Sequence, residues 1–176
     1  NSCRFNEPDS AYLSFTQGAP TEAKNFTISV WAKRGNMGDM GGGDYNSIIS
    51  YYLAADTARG NLYFGSDDKL NFTSNPTGSS WLNIQVTDRL FRDPSAWYHI
   101  VVAVDTTAAE ANRAKIWVNG TLQTLNNTIG TGDMDLGWSV NTHTMEVGRV
   151  ASASQSEFDG YMSEVCFIDG TTYAAS

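Results

Sequence analysis

The stretch from Trp97 to Gly120 constrains the fold of this chain more than any other segment. It opens with an almost unbroken run of apolar, β-branched and aromatic residues, WYHIVVAV, which favours a strand covered on both faces. A second strand, predicted over Arg113 to Val118, alternates between residues that face a core and residues that face outward, Trp117 among them. Asn119-Gly120 follows, and because both residues tolerate positive φ, we expect a two-residue hairpin turn there.

The rest of the chain repeats this pattern of short alternating segments separated by turn residues. Sixteen glycines and 12% aromatic residues suit an all-β protein with many turns. We predict about 12 to 13 strands, including one that begins at Leu90-Phe91, and a single helical turn within Thr107 to Ala111. This count favours an antiparallel sandwich of two sheets over a seven-strand immunoglobulin-like domain, and we expect residues 1–176 to form one domain.

The charge of the chain excludes some classes of partner. Its net charge is −8, with 19 acidic and 11 basic residues, and the basic residues do not cluster. Nucleic-acid binding requires such clusters to neutralise phosphates, so we expect no nucleic-acid partner. No apolar run approaches the roughly 18 residues of a membrane-spanning helix, so we expect no membrane insertion either.

Two cysteines, Cys3 and Cys166, stand near the two ends of the sequence. One cysteine at each end does not form a metal-binding motif. If the terminal strands are neighbours, a disulfide between Cys3 and Cys166 is geometrically feasible. Two unpaired, buried thiols agree equally well with the sequence, so the cysteines do not define the redox compartment.

Three pairs of aspartates are candidate calcium ligands, because calcium is bound by carboxylate and carbonyl oxygens from loops. We place Asp133 and Asp135 first, since they lie in a long glycine-containing loop predicted over residues 126–140. The other pairs are Asp39 with Asp44 and Asp67 with Asp68. In the alternative interpretation these residues are turn formers whose side chains bond their own backbone.

Residues suited to catalysis do not combine into a recognisable site. Glu157, Asp159 and Glu164 come nearest to a pair of glycosidase carboxylates, but Glu164 points to the opposite face of an unbroken strand from the other two. His99 lies in the most apolar strand, where we expect a core imidazole. His143 precedes a strand, and no Gly-x-Ser-x-Gly nucleophile motif accompanies either histidine. We therefore expect no enzyme activity.

Exposed aromatic residues are the usual platforms of glycan-binding sites. We select Trp138, Tyr51, Tyr52 and Trp81 as candidate ligand-binding residues, together with Trp31. Trp138 stands in the glycine-containing loop, DMDLGWSV, where burial is least assured. Alternatively, most of these aromatics pack in the core, as we expect for Trp97 and Trp117.

Five phrases together resemble the laminin-G-like, concanavalin A-like lectin/glucanase superfamily: FTISVWAKR, WYHIVVAVDTT, AKIWVNG, MEVGRV and FDGYMSEVCFIDG. The opening NSCRFN…YLSFT, the phrase FRDPSAWYHIVVAVDTT and the ending FDGYMSEVCFIDGTT look closest to lectin-like domains in structural proteins of tailed bacteriophages. The resemblance implies a jelly-roll sandwich whose first and last strands are neighbours, which favours the disulfide between Cys3 and Cys166.

The resemblance also implies what such a module does, although a fold alone does not define a function. Our first hypothesis is a non-enzymatic virion module, in the capsid decoration or the tail, that contacts cell-surface glycans or neighbouring virion proteins and forms homo-oligomers. The second is a secreted, extracellular lectin or adhesion domain that binds sugar, with a calcium site. The third, a glucanase-like enzyme, is disfavoured by the displaced Glu164.

Overall fold

The computed structural model describes residues 1–37, 45–53, 58–76, 81–139, 143–150 and 156–175. The described residues contain twelve strands. They are β1 (Cys3–Phe5), β2 (Leu13–Thr16), β3 (Asn25–Arg34), β4 (Asn46–Leu53), β5 (Ala58–Phe64), β6 (Leu70–Asn75), β7 (Leu82–Gln85), β8 (Tyr98–Asp105), β9 (Ala114–Val118), β10 (Thr121–Leu122), β11 (Thr144–Val147) and β12 (Gly160–Asp169).

The strands form two antiparallel sheets of six strands each, which pack as a sandwich. Sheet A has the order β1-β12-β3-β8-β9-β10, and sheet B has the order β2-β11-β4-β5-β6-β7. The predicted all-β jelly-roll sandwich is therefore confirmed. No helix in the described segments is long and apolar enough to span a membrane.

Alternating apolar residues from both sheets fill the core between them. In β3 and β8 the inward side chains are fully buried, among them Ile28, Val30, Ile100 and Val102. On the opposite face of β8, Val101 and Ala103 form a second, smaller cluster with Trp117, against which Ala175 packs. Because Val101 and Ala103 are buried as well, the prediction that β8 is covered on both faces is confirmed. Ala175, in the C-terminal segment, contributes to the cover on the outer face.

The predicted hairpin turn at Asn119-Gly120 is also confirmed. Asn119 has φ of 51° and Gly120 has φ of 76°, and β9 pairs with β10 directly across the turn. Both residues thus adopt the left-handed backbone conformation that a two-residue hairpin turn with positive φ at both positions requires. The Asn119 side chain adds a bond, because its Oδ1 accepts from the backbone N–H of His99 at 2.8 Å.

Two local predictions were wrong or incomplete. Leu90-Phe91 does not begin a strand; Phe91 is instead fully buried in the core, and its carbonyl accepts a hydrogen bond from Arg34 at 2.7 Å. The predicted helical turn is a 3-10 turn at Glu110–Asn112, and a second 3-10 turn that we did not predict occurs at Glu7–Asp9. Pro8 favours this second turn, since its fixed φ suits the start of a helical segment.

The first and last strands are neighbours, as the resemblance implied, but the structure contradicts the disulfide. β1 pairs with β12 in a register that places Cys3 opposite Met162. Met162 faces the core, whereas Cys166 pairs with Ser29 and faces outward, so the two thiols lie on opposite faces of sheet A. Both cysteines are free, and both are exposed rather than buried.

Candidate functional site

Of the four aromatic residues selected from the sequence besides Trp31, two belong to the core. Trp138 is fully buried, with its ring stacked on Phe26 and Phe72 at centroid distances of 6.1 and 5.3 Å. Tyr51 is buried beside it, and its hydroxyl donates to the carbonyl of Leu136 at 2.7 Å. The expectation that Trp138 is exposed was wrong, because its loop folds inward and inserts the indole between the sheets.

The other two candidates, Tyr52 and Trp81, lie on the outside of sheet B. Side chains alternate along β4, so Tyr52 faces away from the core that holds Tyr51. Tyr52 pairs with Arg59, and Arg59 pairs with Asn75, which forms a row across three strands. The Arg59 guanidinium lies 5.0 Å from the centroid of the Trp81 ring, and Trp81 is 56% exposed.

A second row of outward side chains crosses all six strands beside the first row. Its members are mostly amides and hydroxyls with one carboxylate; from β2 to β7 they are Ser14, Glu146, Ser50, Asn61, Thr73 and Asn83. A third, shorter row contains Tyr63, Asn71 and Gln85. We call the outward side of sheet B defined by these three rows the polar face.

Hydrogen bonds hold the side chains of the polar face in place. Ser47 donates to Asn61 Oδ1 at 2.7 Å, and Thr73 Oγ1 bonds both the carbonyl and the N–H of Asn61 at 3.2 Å. Gln85 Nε2 donates to Asn71 Oδ1 at 3.2 Å. Burial raises the pKa of Tyr63 to about 12, so its hydroxyl is neutral at physiological pH.

One acceptor on the polar face has no partner. The Oδ1 atom of Asn75 is buried, and no hydrogen bond reaches it from any described residue. Asn75 occupies the row between Arg59 and β7, next to the aromatic edge formed by Trp81. A buried acceptor without a partner is costly, and a ligand hydroxyl would satisfy it.

At the β11 side of the polar face, a buried carboxylate is paired rather than free. Arg149 donates to both oxygens of Glu146 at 2.8 Å, and this pairing raises the pKa of the Arg149 guanidinium. The same guanidinium stacks 3.5 Å from the centroid of the Tyr12 ring. The face therefore combines orienting polar groups with aromatic rings at both sides.

Sequence reasoning selected Tyr52 and Trp81 as candidates but did not select the polar residues that the structure places between them. Asn61, Thr73 and Asn75 are residue types that are common in turns, so their composition gave no signal. The alternation within β5 and β6 does contain the signal, since Asn61 and Thr73 neighbour the buried residues Leu62 and Phe72. Which strands become neighbours, however, is decided by long-range pairing.

The predicted metal ligands do not converge on one point. Asp133 and Asp135 are exposed, and Asp133 pairs with Lys24 at 2.8 Å, which raises the pKa of the Lys24 ammonium. Asp68 is buried between Arg34 and Arg92, whereas Asp39 and Asp44 lie outside the described residues. Within the described ranges, no three His, Cys, Asp or Glu side chains are grouped as a metal would require.

The carboxylates considered for glycoside hydrolysis lie in different surroundings. Asp159 is buried and accepts from Arg4 at 2.9 Å, and Glu157 is buried beside it in sequence. Glu164 lies within a register shift between Ser163 and Cys166, has φ of 51°, and is exposed. The strand is therefore not unbroken, because the irregularity in its pairing with β3 falls at Glu164 itself.

The two histidines have structural partners. His99 is half-buried on the outer face of sheet A, where it stacks on Trp31 at 4.8 Å and bonds Ser29 at 3.1 Å, so it is not a core imidazole. His143 is buried and stacks on Tyr51. Its Nδ1 lies 2.6 Å from the carbonyl of Gly137, and because a carbonyl can only accept, this nitrogen carries the proton.

Comparison with solved structures shows the same fold in proteins of different origin. A pentraxin from Limulus polyphemus superposes with a TM-score of 0.61 and 16% identity, covering 89% of this chain and 68% of its own. The CBM40 of the Ruminococcus gnavus IT-sialidase, bound to alpha2,3 sialyllactose, gives 0.59 and 12%, covering 94% and 93%. At such identities the likeness concerns the fold alone.

A phage protein also shares the fold. Tailspike protein 2 of the Escherichia coli O157:H7 bacteriophage CAB120 superposes with a TM-score of 0.62 and 10% identity over 96% of this chain and 22% of the tailspike. No curated protein matches the sequence significantly. The profile of one family, however, matches residues 7–175, nearly the whole chain. The chain belongs to the concanavalin A-like lectin/glucanases superfamily.

Proposed function

We propose that this chain is a non-catalytic glycan-binding module whose ligand lies across the polar face of sheet B. The observation that carries the proposal is the row of Tyr52, Arg59 and Asn75, with the Trp81 ring against Arg59 and the unpartnered Asn75 acceptor. Sugars are bound by aromatic rings that cover their apolar faces and by fixed polar groups that bond their hydroxyls. The polar face offers both.

The absence of catalysis belongs to the same proposal. Two carboxylates must face each other across the scissile bond for glycoside hydrolysis. Arg4 neutralises Asp159, and Glu164 lies in the irregular part of β12 away from Glu157. We expect no release of reducing sugar from any bound glycan; release that Glu157→Gln abolishes would overturn this part of the proposal.

A glycan array on the purified protein tests the binding site. We expect Trp81→Ala to weaken a hit by about tenfold or more, because loss of a central aromatic contact typically costs about 1–2 kcal/mol. Tyr173→Ala is the matched control, since Tyr173 is 55% exposed, as Trp81 is 56%, but lies at the sheet A side. Equal binding by wild type and Trp81→Ala would contradict the site.

The solved complex of CBM40 with sialyllactose suggests a second comparison within the array. Arg59 is an exposed cation on the polar face and suits the carboxylate of an acidic sugar. If the ligand is acidic, sialyllactose binds better than lactose and Arg59→Gln removes that preference. If lactose binds equally well, the ligand is a neutral glycan.

For the biological setting, we propose a structural protein of a tailed-phage virion, present in several copies and in contact with glycans or neighbouring virion proteins. The resemblance of three sequence phrases and the tailspike neighbour support this setting. A secreted lectin is the second candidate, favoured by the pentraxin and CBM40 neighbours, which are not phage proteins. Detection of the chain in purified virions, by mass spectrometry, supports the first; detection in a secretome supports the second.

A further inference from the structure

A deep apolar cavity opens on the side of the sandwich, away from the polar face. It lies between the edge strands of the two sheets, β1 with its neighbour β12 and β2 with its neighbour β11. Its volume is 570 Å³, within the range of about 300–1,000 Å³ that is typical of small-molecule sites. We call it the edge cavity.

The walls of the edge cavity are largely apolar. Phe5, Ile49, Val147 and Met162 line it and are buried in the core cluster. Leu13 and Phe15 line it from β2 and remain 57% and 46% exposed. Large apolar side chains left exposed along an edge strand indicate a surface that binding would cover.

Two connections between the sheets border the edge cavity, since Phe5, Leu13 and Gln17 line it. At one end the segment from Phe5 to Leu13, with the 3-10 turn Glu7–Asp9, crosses from sheet A to sheet B. At the other end the segment after Thr16 returns to sheet A, held by the bond from Gln17 to the carbonyl of Trp138 at 2.7 Å.

One polar group inside the edge cavity indicates the chemistry of the ligand. The hydroxyl of Ser139 lines the cavity, and the side chain is 1% exposed. Its Oγ has no hydrogen-bond partner among the residues that the structure describes. Because a buried hydroxyl without a partner costs free energy, a ligand with a hydroxyl or amide would bind with its polar end at Ser139.

Among the charged groups that line the edge cavity, the carboxylates of Glu164 and Asp169 outnumber the amino group of Asn1, so the lining disfavours an anionic ligand. The exposed carboxylate of Glu164 lies at the rim and forms no ion pair with a described residue, and Asp169 stands further along the same wall. We propose that the edge cavity binds an uncharged amphiphile, with an alkyl or aromatic body against Leu13 and Phe15 and a hydroxyl or amide bonded to Ser139.

The test uses 1-octanol and octanoate, which share an alkyl chain and differ in the charge of the head group. Isothermal titration calorimetry on the full chain should show binding of 1-octanol at least about tenfold tighter than binding of octanoate, since the carboxylate would be desolvated beside acidic groups. Failure of 1-octanol to bind, or equal or tighter binding of octanoate, would overturn the proposal.

Three variants locate the site. Ser139→Ala should weaken 1-octanol binding by about five- to tenfold, while the melting temperature of the free protein stays the same or rises because an unpaired hydroxyl is removed. Leu13→Ala should weaken binding by about threefold or more, and Leu122→Ala, equally exposed at 55% but on β10, should not change it. Wild-type affinity in Ser139→Ala, or an equal loss in both leucine variants, would contradict the edge cavity as the site.

Discussion

Trp138 and Trp81 present the same side chain in two regions with opposite environments. Trp138 sits between the sheets, in contact with Phe26, Phe72 and Tyr51, and its indole N–H donates to the carbonyl of Thr73 at 3.3 Å. Trp81 lies at the end of the polar face, where Arg59 is its cation-π partner. A tryptophan in a loop is thus as much a core residue as one in a strand, when its neighbours can enclose it.

Tyr51 and Tyr52 repeat the comparison within one strand. Consecutive residues of a strand point to opposite faces, so Tyr51 joins the core and Tyr52 the polar face. Under the proposed function, the aromatic residues of this protein divide into a set that stabilises the fold and a set that contacts the ligand. Substitutions that separate stability from binding test this division.

The largest effect is expected for Trp138→Ala. Removal of a fully buried indole leaves a cavity and should lower the free energy of unfolding by about 3–5 kcal/mol. Trp81→Ala should change it by less than about 0.5 kcal/mol, as is usual for exposed positions. Urea unfolding followed by circular dichroism measures both, and comparable losses in the two variants would refute the division.

The second largest effect is a loss of stability at alkaline pH, which we expect from Tyr51. Burial raises the pKa of Tyr51 to about 12, against about 10 in an unfolded chain. As the pH rises above 10, Tyr51 therefore loses its proton in the unfolded state before it does so in the folded state. The free energy of unfolding should fall by about 2–3 kcal/mol between about pH 10 and pH 12.

Tyr51→Phe should be less stable than wild type near neutral pH, because the bond to the Leu136 carbonyl is lost, but should lose less stability above pH 10. Tyr63, whose pKa is also about 12, accounts for part of the remaining slope. Urea midpoints measured at about pH 9 and 11 give the comparison. An identical slope in the variant would place Tyr51 outside the core.

A smaller effect is expected where the loop of Trp138 faces solvent. Asp133→Asn removes the exposed pair with Lys24 and should cost less than about 1 kcal/mol. Because Lys24 already occupies this carboxylate, millimolar calcium should shift the melting temperature of wild type by less than about 1 °C. A rise of several degrees that chelator reverses, and that Asp133→Asn abolishes, would establish the calcium site at Asp133 and Asp135.

The smallest effect on stability is expected from treating the two thiols with reductant. Cys3 and Cys166 are exposed on opposite faces of sheet A, so both should react with maleimide in the native protein without prior reduction. Reductant should move the melting temperature by less than about 1 °C, since no crosslink is broken. Labelling that requires reductant would instead show a disulfide.

The sequence was sufficient for features that depend on neighbouring residues. The turn at Asn119-Gly120 and the alternation of β3, β8 and β9 follow from local conformational preference and side-chain period. Trp138 could not be placed, because its burial depends on Phe26 and Phe72, which are distant in sequence. For the same reason the row that joins Tyr52, Arg59 and Asn75 became visible only with the strand register.

The adjacency of β1 and β12 has a mechanical consequence. Cys3 pairs with Met162 and Phe5 with Gly160, so the start of β1 and the end of β12 point in the same direction. A load applied between Cys3 and Asp169 would open the ladder between these strands one hydrogen bond at a time, instead of shearing all of them together. Under tension β1 would peel away first, and the edge cavity would lose one wall while β3 and β8 remained paired.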